Sequence, residues 1–138
     1  MKVKFVDTNI FIRFITKDDE KKAKKVFELF KLVEQGKIKL IVIEAVLAEV
    51  VYTLSSKKLY ALSMEKVRQV LIPIIEMKGL KMENKNVFLL ALDYMIDKKV
   101  DFEDALIVAY MVKSKIKRVY SYDRDFDKFK QIKRVEPR

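Results

Sequence analysis

The stretch KLIVIEAVLAEVVYTLSSKK, Lys39–Lys58, reads as a strand running directly into a helix. Lys39–Ile43 is short and rich in β-branched residues, as a buried strand is. Ala45–Lys58 then sets Val46, Glu49, Val50 and Thr53 along one side at helical spacing. The alternation continues in both directions. Upstream, Lys2–Val6 is a β-prone run, and Asp18–Gln35 places Ala23, Val26, Phe27, Phe30 and Val33 on one helical face before Gly36 stops it. Downstream, Ser63 caps a helix reaching Met77, with a bend expected at Pro73. Leu80–Met82 forms a short strand. Asn84 caps a helix to Lys98 with Val87, Leu90, Ala91 and Tyr94 on its inner face.

Ala105–Val112 is continuously apolar and fits strand or helix by periodicity alone. Asp101 and Asp104 ahead of it match a helix N-terminus, which decides for helix. Lys117–Tyr122 is a strand, followed by an acidic turn, a short helical turn near Phe126–Lys130 and a last strand at Ile132–Val135. Strands separated by helices imply an α/β fold with a parallel sheet covered on both faces. At 138 residues, with no repeat, linker or low-complexity segment, the expectation is one domain over residues 1–138.

Composition narrows the chemistry mainly by what it lacks. There is no Cys, hence no disulfide, thiol nucleophile or thiolate metal site. There is no His, which removes the usual general base and any His-ligated zinc. Gly36 and Gly79 are the only glycines, so neither a dinucleotide fingerprint nor a P-loop can be built. Reactive groups must come from carboxylates, amines and hydroxyls, and hard carboxylate oxygens favour magnesium or manganese. The +10 net charge is gathered in Lys21, Lys22, Lys24 and Lys25, in Lys113, Lys115, Lys117 and Arg118, and in Lys128, Lys130, Lys133 and Arg134. It fits a polyanionic partner such as nucleic acid, and equally a solvated lysine-rich surface. No apolar run approaches membrane-spanning length, and Asp7 and Arg13 interrupt the Met1–Thr16 segment, which has no signal-peptide pattern. The expected location is therefore cytoplasmic.

Ligands in open parallel sheets bind beyond the carboxyl ends of the strands. Asp7 follows Phe5-Val6 there, and Asp123 follows Tyr120-Ser121-Tyr122. Asp104 belongs to the first turn of an apolar helix, and Glu49 interrupts an apolar run on a face expected to be buried. Inward carboxylates need a compensating charge, which one divalent cation would supply to all four. Each acid has a plainer reading too. Asp7 can cap a following helix, Asp101 and Asp104 can serve a helix dipole, and Glu49 faces outward if the helix phase is shifted. A calcium loop beginning at Asp123 is excluded, because its sixth and twelfth positions are Lys128 and Arg134 instead of Gly and Glu.

Four segments then have to be taken together: Val6-Asp7-Thr8-Asn9-Ile10, Val46–Leu54 around Glu49, Phe102–Ala109 around Asp104, and Val119–Asp127 around Asp123. In this order they resemble the PIN-domain family, particularly the VapC-like toxin ribonucleases of type II toxin–antitoxin pairs. The resemblance implies a three-layer α/β/α fold with a five-stranded parallel sheet. It implies Asp7, Glu49, Asp104 and Asp123 as catalytic, metal-binding acids, supported by Thr8, Asn9 and Ser121, with Asn9 and Ser121 orienting Asp7 and a water. Asp101 and Asp125 are second-choice ligands. Ser121 stands where the family more often has Thr, which keeps the hydroxyl. The implied activity is endonucleolytic RNA hydrolysis with Mg2+ or Mn2+. The implied partners are RNA, a cognate antitoxin protein and a second copy of the chain. Tyr122 and Phe126 are read first as packing residues, with stacking on an unpaired base as the alternative.

Two readings compete within the nuclease class, a toxin and an RNA-maturation enzyme. Outside it stand a non-cleaving PIN-like module that binds RNA or protein, and a phospho-acceptor domain. The last needs an acceptor Asp ending a mid-chain strand, where this chain has Glu44.

Overall fold

The computed structural model describes residues 2–138, and the chain divides into two compact units, Met1–Glu83 and Asn84–Arg138. In the first unit the β-prone and helix-prone runs become β1 (Lys2–Phe5), α1 (Thr8–Thr16), α2 (Glu20–Glu34), β2 (Ile38–Ile41), α3 (Glu44–Ser55), α4 (Met64–Ile75) and β3 (Leu80–Lys81). Their strands form a parallel sheet in the order β1-β2-β3, with Lys2 opposite Ile38 and Leu40 opposite Leu80.

Apart from the capping signal at Asp7, little in the sequence announces α1, whose Ile10, Phe11, Ile12, Phe14 and Ile15 favour strands. Tertiary packing overrides that propensity. Phe11 and Phe14 lie against Phe30 of α2, with ring centroids 5.8 and 4.6 Å apart. Asp19 and Ser63 cap α2 and α4 through side-chain acceptors for the N–H groups of Lys22 and Lys66, each at 3.1 Å. At the other end of α2, Gly36 takes φ +76°. Its N–H and that of Lys37 bond back to the carbonyls of Val33 and Leu32, closing the helix in a left-handed cap. The core of this unit is built on Phe11, Phe30, Leu40, Leu47, Leu54, Leu71, Ile75 and Leu80, all buried. Outside it, Asp18 accepts hydrogen bonds from the Tyr60 hydroxyl (2.9 Å) and the Arg13 guanidinium (2.7 Å), which hold its carboxyl below the usual range.

The second unit contains α5 (Lys85–Lys98), α6 (Phe102–Ser114), β4 (Arg118–Tyr120), a 3-10 turn (Arg124–Lys128) and β5 (Lys133–Val135). The helices pack through Val87, Phe88, Ala91, Leu92 and Met95 on α5 and Ala105, Val108 and Ala109 on α6, all buried. Phe88 and Phe102 pack with their rings 4.9 Å apart. β4 and β5 pair in parallel, with Arg118 opposite Lys133 and Tyr120 opposite Val135. Phe129 is buried edge-on against Tyr94, at 5.3 Å.

The expected α/β alternation and parallel pairing are present, but among the described residues the five-stranded sheet is not. The strands form one sheet of three and one of two. Periodicity marks which segments are strands and says nothing about which edges join. Among the described residues, no helix is long and apolar enough to cross a membrane.

Candidate metal centre

The end of β4 and the start of α6 position the acids of the second unit. Asp101 occupies the N-cap position of α6 with extended backbone, but its side chain makes no capping bond. Glu103 and Asp104 fall in the first turn. Beyond β4 the backbone is pinned by Ser121, whose hydroxyl accepts the Asp123 N–H at 2.9 Å. Asp123 Oδ1 in turn accepts the Asp125 N–H at 2.9 Å and so caps the 3-10 turn. Asp125 Oδ1 lies 3.3 Å from Lys128 Nζ.

Asp104, Asp123 and Asp125 each offer one carboxylate oxygen, and these three oxygens lie within 4.8 Å of one another. Asp104 bears the electrostatic consequence. Partial burial raises its carboxyl to about 6, helped by the negative charges of Asp123 and Asp101, a hydrogen bond with Asp123, and Glu103. The N-terminal dipole of α6 should act the other way, yet burial and like charge prevail. Oxygens bound to magnesium at about 2.1 Å are roughly 3–4.2 Å apart, so three converging carboxylates need only small rotations to hold such an ion. The donors are hard oxygens, and a divalent cation would relieve the repulsion. The residues fit the group.

The family model of the PIN domain matches residues 4–132, a span containing all the acids above. The chain belongs to the PIN-domain family. PIN domains are generally nucleases that act on RNA and usually use divalent metal ions. No curated protein matches the chain.

Of the residues expected from sequence, the structure brings Asp104 and Asp123 together and adds Asp125, a second-choice ligand. Asp101 is outside the triplet, although its charge bears on Asp104. Asp7 and Glu49 belong to the first unit. Asp7 is exposed and caps α1, its Oδ1 accepting the Asn9 N–H at 3.1 Å. Thr8 opens α1. Ser121 fixes Asp123 through the backbone, a role the sequence did not suggest.

Glu49 needs a correction. It was expected on the buried face of its helix and is exposed, because the buried positions of α3 are Leu47, Val50, Val51 and Leu54. No charged side chain is fully buried among the described residues, and partial burial raises the carboxyl of Asp104. Phe126 is buried, as a packing residue should be, whereas Tyr122 is 70% exposed.

A pH dependence follows for the PIN domain. Asp104 must lose its proton to ligate, so Mn2+ affinity should rise about tenfold per unit as pH approaches about 6, then level off. For the metal-free protein the sign is opposite. A raised folded-state carboxyl favours the folded form at low pH, and this contribution is lost as pH rises from about 4 to about 6. Calorimetric titration with Mn2+ and melting curves over that range read both slopes. Affinity that does not change between about pH 5 and about pH 7 would exclude Asp104 as a ligand.

Proposed function

We propose that this chain is a metal-dependent endoribonuclease that hydrolyses RNA phosphodiester bonds, and that it is the VapC-like toxin of a toxin–antitoxin pair. The observation that carries the nuclease reading is the convergence of Asp104, Asp123 and Asp125 in a PIN-family chain. Asp104 and Asp123 are the proposed ligands of Mg2+ or Mn2+, and Asp125 joins them, its charge shared with Lys128. When bound, such an ion supplies Lewis acidity toward the phosphodiester and a nucleophile at neutral pH, so no histidine is needed. Ser121 and the capped 3-10 turn hold Asp123 before the ion arrives, which limits the ordering cost of binding. Asp7 and Glu49 are proposed as further catalytic acids, with Thr8 and Asn9 supporting them, on the resemblance alone.

Electrostatics support RNA as the substrate. Lys21, Lys22, Lys24 and Lys25 are all exposed on α2, opposite its buried face of Ala23, Val26, Phe30 and Val33. With a net charge of +10, the protein attracts phosphate without reading sequence. The single nuclease domain over residues 1–138, a cognate antitoxin protein, a homodimer and a cytoplasmic location belong to the same proposal and rest on the resemblance.

The test is cleavage of a broad panel of labelled RNAs by purified, inhibitor-free protein with Mg2+ or Mn2+. Internal cuts that EDTA suppresses and Mn2+ restores are expected. Intact RNA across the panel with either ion overturns the nuclease reading. The toxin role is checked separately by whether a co-expressed small protein encoded beside the chain binds it and stops cleavage.

A further inference from the structure

Tyr122 is one of several exposed rings, with Tyr120, Phe5 and Tyr52, and it is the one beside the acidic triplet. It is 70% exposed and stands between Ser121, which pins the backbone, and Asp123 of the acidic triplet. Among the described residues neither its hydroxyl nor the guanidinium of Arg124 has a partner. An aromatic ring left in water forgoes the burial that Phe126, four residues on, obtains in full.

Exposed cations occur on β4 and β5 and in the turn that follows β4. Lys117, Arg118, Arg124 and Lys133 are exposed, and Arg118 lies in register with Lys133 on the neighbouring strand. Like charges in that relation repel, and a phosphate would relieve the repulsion. An exposed ring with an unpaired Arg124 two residues on, and with β4 and β5 carrying further exposed cations, matches the way single-stranded nucleic acid is held, with bases on aromatic faces and phosphates on cations.

We infer that Tyr122 stacks on an unpaired base of single-stranded RNA, setting the nucleotide beside the acids while the exposed cations hold the flanking phosphates. The inference rests on the nuclease reading for its substrate and extends it. Tyr122 is thus a positioning residue, chemically distinct from the acids.

The test is binding of a short fluorescent single-stranded RNA in EDTA, where cleavage is suppressed, by wild type, Tyr122→Ala and Tyr122→Phe. Tyr122→Ala should weaken binding about tenfold, and Tyr122→Phe should restore it to within about twofold, since the ring suffices for stacking. On a fully abasic strand of the same length the three proteins should bind alike. Equal binding by wild type and Tyr122→Ala overturns the inference. So does the same loss on the abasic strand, or no wild-type binding to any single strand. A parallel assay with Mn2+ separates the two readings. Cleavage with Tyr122-independent binding defeats only this inference, whereas Tyr122-dependent binding without cleavage defeats only the nuclease reading.

Discussion

Asp104→Asn should lower RNA cleavage by more than about a hundredfold while the protein stays folded. Disturbing residues that merely orient metal ligands costs about 10–100-fold, so losing a ligand should cost at least the upper end. The substitution is nearly isosteric and removes the charge that burial and Asp123 already disfavour. Metal-free Asp104→Asn should therefore melt at or above metal-free wild type near pH 7. The two proteins part when Mn2+ is added, because wild type gains stability by binding in the folded state and the variant does not. Asp123→Asn should lose activity similarly while keeping the 3-10 turn, because the Asn side-chain oxygen still accepts the Asp125 N–H. Glu103→Gln removes an exposed neighbouring charge outside the triplet and should retain activity within about threefold. Cleavage by Asp104→Asn at a rate close to wild type, with its Mn2+ stabilisation retained, would falsify the assignment of this carboxylate as a ligand.

How far these residues could be found from sequence depended on whether local or long-range information placed them. Asp104 and Asp123 were legible because a helix's first turn and a strand's end are set by neighbours a few residues away. Asp125 follows from the same local turn, since the Asp123 side chain that caps it also draws Asp125 close. Glu49 was misplaced because the run Ala45–Val51 is apolar nearly all round. Two helical faces, one through Val46 and Val50 and another through Leu47, Val50, Val51 and Leu54, fit it almost equally well, and only packing chooses the second. The division into three and two strands was illegible for a different reason. Strands of two to four residues carry too few side chains to specify partners, so pairing is fixed by backbone edges that sequence does not display. Helix α1 shows the converse, with strand-favouring residues held helical by Phe30 and by the Asp7 cap. The exposure of Tyr122 is likewise a property of the folded surface, since its neighbours in sequence would suit a core strand equally.

The largest expected effect on stability falls at Gly79, between α4 and β3 of the first unit. A Cβ added there would come 2.2 Å from the Ile38 carbonyl oxygen and 2.6 Å from that of Val33. Both obstacles are backbone, and neither has room to yield. The Gly79 N–H bonds to the Val33 carbonyl at 2.9 Å, while the Gly79 carbonyl accepts the Leu40 N–H at 2.8 Å. The segment is therefore held from both sides where the end of α2, β2 and β3 meet, next to buried Leu40 and Leu80. Gly79→Ala must displace this backbone, combining overpacking of about 1–3 kcal/mol with weakened hydrogen bonds worth about 1 kcal/mol. A loss of about 2–4 kcal/mol corresponds to a melting temperature lower by roughly 10 °C for a chain of this size. Gly36→Ala provides the comparison. It is strained by φ +76°, but its Cβ would meet only the flexible Lys78 side chain, at 3.1 Å. Its cost should be about 1 kcal/mol, with Gly36→Asn milder because Asn tolerates the left-handed region. Thermal or urea melts of the three variants should rank Gly79→Ala lowest by a clear margin. If Gly79→Ala melts with wild type, or above Gly36→Ala, the close approach of β3 to the end of α2 is wrong.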